Sequence, residues 1–251
     1  MKTKLFILIC ICAVTAACTP TVQTQKQNKI AQAIKKEGDV FQALGNYTAA
    51  LNKLLEAEKM APDDPYIQNS LGLAYMRKER GDMAIQAFNK ALLLKPDYTE
   101  ALNNLGAAYL RDKKWDIAIK TFNQVLEDIT YPTPHYPLTN IGWASMKQDN
   151  YAVAQKYFLK ALREVPGFIP ATHGLAQLYI RTGQPKRAIA HLDKNIKKYP
   201  DTAIYHADLA QAYEACGQNR QAVKAWKVTK QLTPENSKLY HRAEQRLFEL
   251  K

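Results

Sequence analysis

The 251-residue sequence contains no Gly-x-Ser-x-Gly elbow, no His-Glu-x-x-His, no Cys-x-x-Cys and no glycine loop of the kind that cradles phosphate. Its five histidines, His135, His173, His191, His206 and His241, show no metal-ligand spacing. No enzyme activity, cofactor, metal or small-molecule substrate is therefore expected. Cysteine is scarce: Cys10 and Cys12 stand in the leading segment, and only Cys18 and Cys216 follow. The apolar run from Leu5 to Val14 is too short to span a bilayer. The formal charge is +12, yet no Lys/Arg run accompanies it. With the export signal described below, nucleic acid is not an expected partner. Acidic protein segments, anionic lipid headgroups or cell-wall polymers remain as counterparts, and a merely solvated basic surface is the plainer reading.

What the chain does have is a period. Ala50, Ala84, Ala118, Ala154, Ala188 and Ala222 recur every 34 residues, with one interval of 36. A small residue stands twelve positions ahead of each: Gly38, Gly72, Gly106, Gly142, Ala176 and Ala210. Nine ahead is an aromatic, except at Ser145. Four behind come Leu54, Phe88, Phe122, Phe158, Leu192 and Trp226, and twelve behind a proline, replaced in the third unit by Thr130. A fixed period of this length means stacked units, none of which buries its apolar face alone.

Counted from Ala31, the small residue is place 8 of each unit, the aromatic place 11, the alanine place 20 and the bulky residue place 24. Close helix approach needs small side chains, so place 8 is expected to face place 20, with places 11 and 24 filling in around them. The proline closes the second helix. This pattern resembles the tetratricopeptide repeat. The resemblance implies an all-α fold, a right-handed superhelical solenoid of six helix-turn-helix repeats over 31–236, with units 31–64, 65–98, 99–132, 135–168, 169–202 and 203–236. Residues 237–251 read as a capping helix, with Ser237 as its N-cap and Leu239, Ala243, Leu247 and Leu250 on one side.

Residues 1–17 read as a signal peptide: a basic start at Lys2 and Lys4, the apolar run, then small residues Thr15, Ala16 and Ala17. With Cys18 next, the segment resembles a bacterial lipoprotein signal, which implies lipidation of Cys18. Thr15 stands where that pattern usually has Leu, and cleavage after Ala17 to give a soluble periplasmic protein is the alternative. If Cys18 carries lipid, Cys216 has no disulfide partner and reads as a packed thiol. Residues 18–30 lack apolar periodicity and are expected to be a flexible tether. Thr19 is not the Asp that often marks inner-membrane retention, so by analogy with lipoproteins as a class the periplasmic face of the outer membrane is favoured.

The first helix of each unit turns 100° per residue. Places 4, 7, 8 and 11 share the core arc, and places 2, 5, 9, 12 and 13 the opposite one, which lines the concave face in repeat solenoids of this kind. Place 13 carries Arg77, Arg111, Lys147 and Arg181 in the four middle units; place 12 carries Met76, Leu110, Met146 and Ile180. Asn69, Asn103 and His173 stand at place 5, with Asn104 and Asn140 one residue on; Tyr66 and Tyr136 stand at place 2, and Trp143 at place 9. Amides for a peptide backbone, cations for carboxylates and apolar residues for anchors form a candidate groove for an extended or helical protein segment that is apolar and acidic. The competing reading is that place 12 packs between repeats and the place 13 cations are only solvated. Trp143 either stands in for the aromatic that Ser145 replaces or lies exposed in the groove.

The stretch from Tyr131 and Pro132 to Asn140, Ile141 and Gly142, continuing through Ala154, Tyr157, Phe158, Lys160 and Leu162, resembles the type IV pilus pilotins. Those are outer-membrane lipoproteins of six repeats, and the resemblance implies a scaffold that helps a pilus secretin assemble. A general cell-envelope adaptor, docking a peptidoglycan enzyme or an outer-membrane assembly partner, is the alternative.

Overall fold

The computed structural model describes residues 22–250, and within them the chain forms thirteen α-helices. The expected signal peptide, Cys18 and the start of the tether lie outside the described residues. α1 (Val22–Ala43) and α2 (Tyr47–Met60) make the first hairpin, followed by α3 (Pro65–Arg77) with α4 (Gly81–Leu94) and α5 (Thr99–Arg111) with α6 (Trp115–Val125). Next come α7 (His135–Lys147) with α8 (Tyr151–Glu164), α9 (Ile169–Arg181) with α10 (Pro185–Lys198), and α11 (Ala203–Ala215) with α12 (Asn219–Gln231). α13 (Lys238–Glu249) closes the stack, its N-terminus capped by the Ser237 hydroxyl, which accepts from Tyr240 N at 3.1 Å. Ala243 is buried, and Leu239, Leu247 and Leu250 pack on the core around Trp226.

Each odd-numbered helix from α1 to α11 packs on its own partner and on the neighbouring odd-numbered helices, whereas the even-numbered helices make no comparable contact with one another. The odd helices therefore sit on the shorter, inner wall and the even helices on the outer one.

The six repeat alanines are fully buried, and so are the six bulky residues at place 24. The reason for the small residue at place 8 differs from the expectation. A β-carbon at Gly72, Gly106 or Gly142 would meet the ring of Phe88, Phe122 or Phe158 at 2.4, 2.7 or 2.6 Å, and one at Gly38 would meet Leu54 at 2.8 Å. Place 8 makes room for the residue at place 24, rather than principally for the alanine at place 20.

The tether expectation is corrected over 22–30, which continues α1 as helix. No apolar stripe marks this stretch, and residues 23–30 are exposed. Its Gln and Lys residues favour helix, it contains no Gly or Pro, and extending a helix already nucleated by its packed half needs no new nucleus.

Where the third unit lacks its proline, α6 ends early at Val125. Asp128 shapes the loop that follows. Its Oδ1 accepts from Thr130 N at 2.9 Å, a local turn that competes with helix, and its Oδ2 accepts from Thr99 Oγ1 at 2.7 Å. Hydrogen bonds from the Thr130 and Thr99 hydroxyls hold this carboxyl below the usual range.

Candidate functional site

The inner wall is the face on which the expected binding residues collect, and the structure divides them into three groups. Tyr66, Arg77, Arg111, Tyr136, Lys147 and Arg181 are exposed. Met76, Asn103, Asn104, Leu110, Asn140, Trp143 and His173 are half-buried. Asn69 and Met146 are buried, at 8% and 4% exposure, and are corrected from wall-facing to repeat-packing residues. The cause is that each inner helix has inner neighbours on both sides, which cover much of the arc that a lone helix hairpin would leave open.

Place 13 is the last residue of α3, α5, α7 and α9, so Arg77, Arg111, Lys147 and Arg181 share one rim. A cation there also offsets the negative end of its helix. Two of the four reach back to the preceding unit. Arg111 donates to Met76 O and lies 3.4 Å from Glu79; Arg181 donates to the Tyr151 hydroxyl at 3.1 Å and lies 3.2 Å from Asp149. These are solvated pairs, weakened by water and salt. Among the described residues, Arg77 and Lys147 have no carboxylate within 4.0 Å and are the two open cations of the rim. A cleft of about 330 Å³ between the second and third units is lined by Met76, Glu79, Gly81, Ala108, Arg111 and Asp112.

The opposite rim carries the place 2 tyrosines, each packed edge-on against the last residue of its own unit. Tyr66 meets Tyr98 at 5.2 Å between ring centres, and Tyr136 meets Phe168 at 5.2 Å. Lys95 Nζ donates to the Tyr66 hydroxyl at 3.2 Å and sits over both tyrosine rings of that pair. Burial, chiefly, pushes the Tyr98 hydroxyl up to about 12.

Between the rims runs a polar ladder joining place 5 of one unit to place 6 of the next. Asn104 Nδ2 donates to Asn69 Oδ1 at 2.9 Å, and Asn69 Nδ2 donates to the Tyr98 hydroxyl at 3.2 Å. The same step, 35 residues long, sets His173 Nδ1 2.7 Å from Asp208 Oδ2. Gln177 Nε2 donates to Asp208 Oδ1 at 2.7 Å. Asp208 is fully buried, and burial raises its pKa against the opposing pull of its His173 and Gln177 hydrogen bonds. The sequence reading missed this carboxylate; its register with Asn104 and Asn140 was the available signal. At Asn103 the ladder is open, and its Oδ1 is buried without a donor.

Trp143 is half-buried and packs on the core rather than standing exposed in the groove. Its ring packs edge-on against Phe158 at 5.5 Å and also lies 5.4 Å from the His173 ring. His206 hydrogen-bonds Pro200 O through Nε2, and Cys216 is unpaired and half-buried. Chemically the wall offers amide and hydroxyl groups, two open cations and half-buried Met and Leu side chains, a set suited to holding a chain.

Family models of the tetratricopeptide repeat match residues 35–99, 82–133 and 145–207. Among solved structures, PilW, described as a widely conserved type IV pilus biogenesis factor, superposes with a TM-score of 0.75 at 24% identity, covering 86% of this chain and 98% of that one. PilF of Pseudomonas aeruginosa gives 0.69 at 20% identity, covering 88% and 99%. A tetratricopeptide repeat protein of Parabacteroides merdae gives 0.72 at 18%, covering 88% and 84%. The curated relatives are remote. Anaphase-promoting complex subunit 7 of Arabidopsis thaliana is 28% identical over 83 residues, and a CTR9 homologue of the same plant is 22% identical over 113. The matched region is 33% and 43% of this chain but only 15% and 10% of those relatives.

Proposed function

The chain belongs to the tetratricopeptide repeat family, and from the inner wall of this fold we propose a cell-envelope scaffold that holds a segment of another protein during assembly of a type IV pilus. The observation that carries the pilus reading is the match of nearly the whole chain to nearly the whole of PilW and of PilF. The partner is a secretin, engaged through an extended or helical segment that is apolar and acidic. Its carboxylates meet Arg77 and Lys147, its apolar anchors meet Met76 and Leu110, and its backbone N–H groups meet the Asn140 amide. Lipidated Cys18 tethers the scaffold to the periplasmic face of the outer membrane, and the helical 22–30 stretch shortens that tether to roughly 1.5 Å per residue.

Cross-linking in intact cells followed by recovery of the protein tests the reading. The secretin is expected in the wild-type recovery and is lost with Arg77→Glu combined with Lys147→Glu, in a protein of unchanged helicity. Undiminished recovery from the double variant rejects the wall as the contact. Recovery of a peptidoglycan enzyme instead of a secretin replaces the pilus reading with the general envelope adaptor.

A further inference from the structure

The charge of this chain is not spread evenly over its outer wall. α2, α4 and α6 together carry four Lys/Arg and four Asp/Glu, and each helix is neutral. α8, α10 and α12 together carry twelve Lys/Arg and two carboxylates, Glu164 and Asp193. The inner helices of the same three units do not share the excess: α7 and α9 have one cation each, Lys147 and Arg181, and α11 has only Asp208 and Glu214. Of the twelve outer cations, only Lys230 has a carboxylate within 4.0 Å among the described residues, that of Glu244. Lys156, Lys194 and Lys224, one on each helix, are exposed.

We propose that the outer wall formed by α8, α10 and α12 is a docking surface for an anionic phospholipid membrane. The three helices belong to successive units and stand on the same wall, so a charged plane laid on that wall meets all three rows of cations at once. Nine of the twelve cations are lysines. Lysine is depleted from protein interfaces, whose binding energy comes from aromatic and arginine anchors in desolvated pockets. The aromatic side chains of these three helices, Tyr151, Tyr157, Phe158 and Trp226, are half-buried or buried, so no row of exposed rings is available to stack bases. Dispersed, unpaired lysines on a broad surface suit phospholipid headgroups, to which each basic residue adds attraction without a specific pose. The surface lies on the opposite wall from the groove, so membrane contact leaves the groove open, and the inference stands whether or not the partner is a secretin.

The test uses the full purified chain and sedimentation with vesicles of phosphatidylcholine alone or mixed with phosphatidylglycerol. Any N-terminal contribution is common to every variant. Binding to the anionic vesicles is expected to exceed binding to the neutral ones by about tenfold or more at low salt and to lose that preference near 0.5 M salt, where the Debye length falls to about 4 Å. Lys156→Glu, Lys194→Glu and Lys224→Glu together abolish the preference. Lys36→Glu, Lys59→Glu and Lys120→Glu, the same charge change in exposed lysines of the first three units, leave most of it. Should the reversal variant lose helicity, the Lys→Gln version of the same three sites carries the comparison. Three results overturn the proposal: no preference for anionic vesicles, equal loss from both triple variants, or polyglutamate or duplex DNA displacing the vesicles from the wild type while binding it more tightly.

Discussion

Phe158 is held between two glycines: a β-carbon at Gly142 would lie 2.6 Å from its ring, and one at Gly174, in the next unit, 2.4 Å. The ring is fully buried and takes Trp143 on its edge, so it has no free direction in which to yield. In an open helix Gly→Ala gains about 1 kcal/mol. Gly142→Ala is expected to do the opposite, lowering stability by about 1–3 kcal/mol through overpacking. Gly81→Ala, at the start of α4 with open space around it, is the matched control and should stabilise slightly. Urea unfolding of the two variants reads the sign directly.

The six turns between paired helices share one backbone feature. Gly45, Glu79, Lys113, Asp149, Gly183 and Gly217, all at place 15 of their units, have φ between 59° and 75°. Left-handed backbone costs a side-chain-bearing residue about 1–2 kcal/mol relative to the right-handed region. Glu79 and Asp149 have a compensating role as partners of Arg111 and Arg181. Lys113 has no ion pair among the described residues. Lys113→Gly is expected to raise stability by up to about 1 kcal/mol, and Gly183→Ala to lower it by a similar amount. A Lys113→Gly variant no more stable than wild type in thermal unfolding would remove the strain argument.

The residues that build the stack were legible because they repeat. Ala50 and Phe88 have counterparts at every period, and a periodic apolar pattern has one packing solution. Place 15 was legible in half of the units, where Gly45, Gly183 and Gly217 stand in register; Glu79, Lys113 and Asp149 concealed the rest, because stacking imposes the conformation without the residue that favours it. The helical start of α1 could not be read from apolar periodicity, since residues 23–30 are exposed and carry no apolar stripe. The wall residues were legible as a set but not individually. Whether Asn69 meets solvent depends on Tyr98 and Asn104 from elsewhere in the stack, and a hairpin considered alone lacks those neighbours.

Glu214 fastens the final helix to the stack. Its carboxylate accepts from the indole N–H of the fully buried Trp226 and, at 2.6 Å, from Arg246 on α13. Removing the acceptor leaves a buried donor unsatisfied, which costs about 1–3 kcal/mol. Glu214→Ala is expected to fall in that range and to loosen α13, seen as faster amide exchange in residues 238–249. Glu214→Gln keeps an acceptor for Trp226 and should lose less. Equal losses from the two variants would mean that the indole bond contributes little.

Asp208 gives the fold a pH dependence of a particular sign. Burial raises its folded-state pKa above the unfolded value near 3.8, with the His173 and Gln177 hydrogen bonds and the charge of Arg242 opposing that rise. Between the two values the folded chain binds more protons at this site than the unfolded chain. Its contribution to stability is therefore fullest below the unfolded pKa and declines as pH rises through the folded one. Each tenfold difference in proton affinity between the two states corresponds to about 1.4 kcal/mol. Asp208→Asn removes the titration, so wild-type stability minus variant stability should fall as pH rises from 3.5 toward neutrality and then level off. The variant loses one of the two buried acceptors, because its amide cannot accept from His173 and Gln177 through both atoms. Urea titrations of both proteins across this range supply the difference curve, and a rise with pH would mean that the hydrogen bonds and Arg242 outweigh burial at this carboxylate.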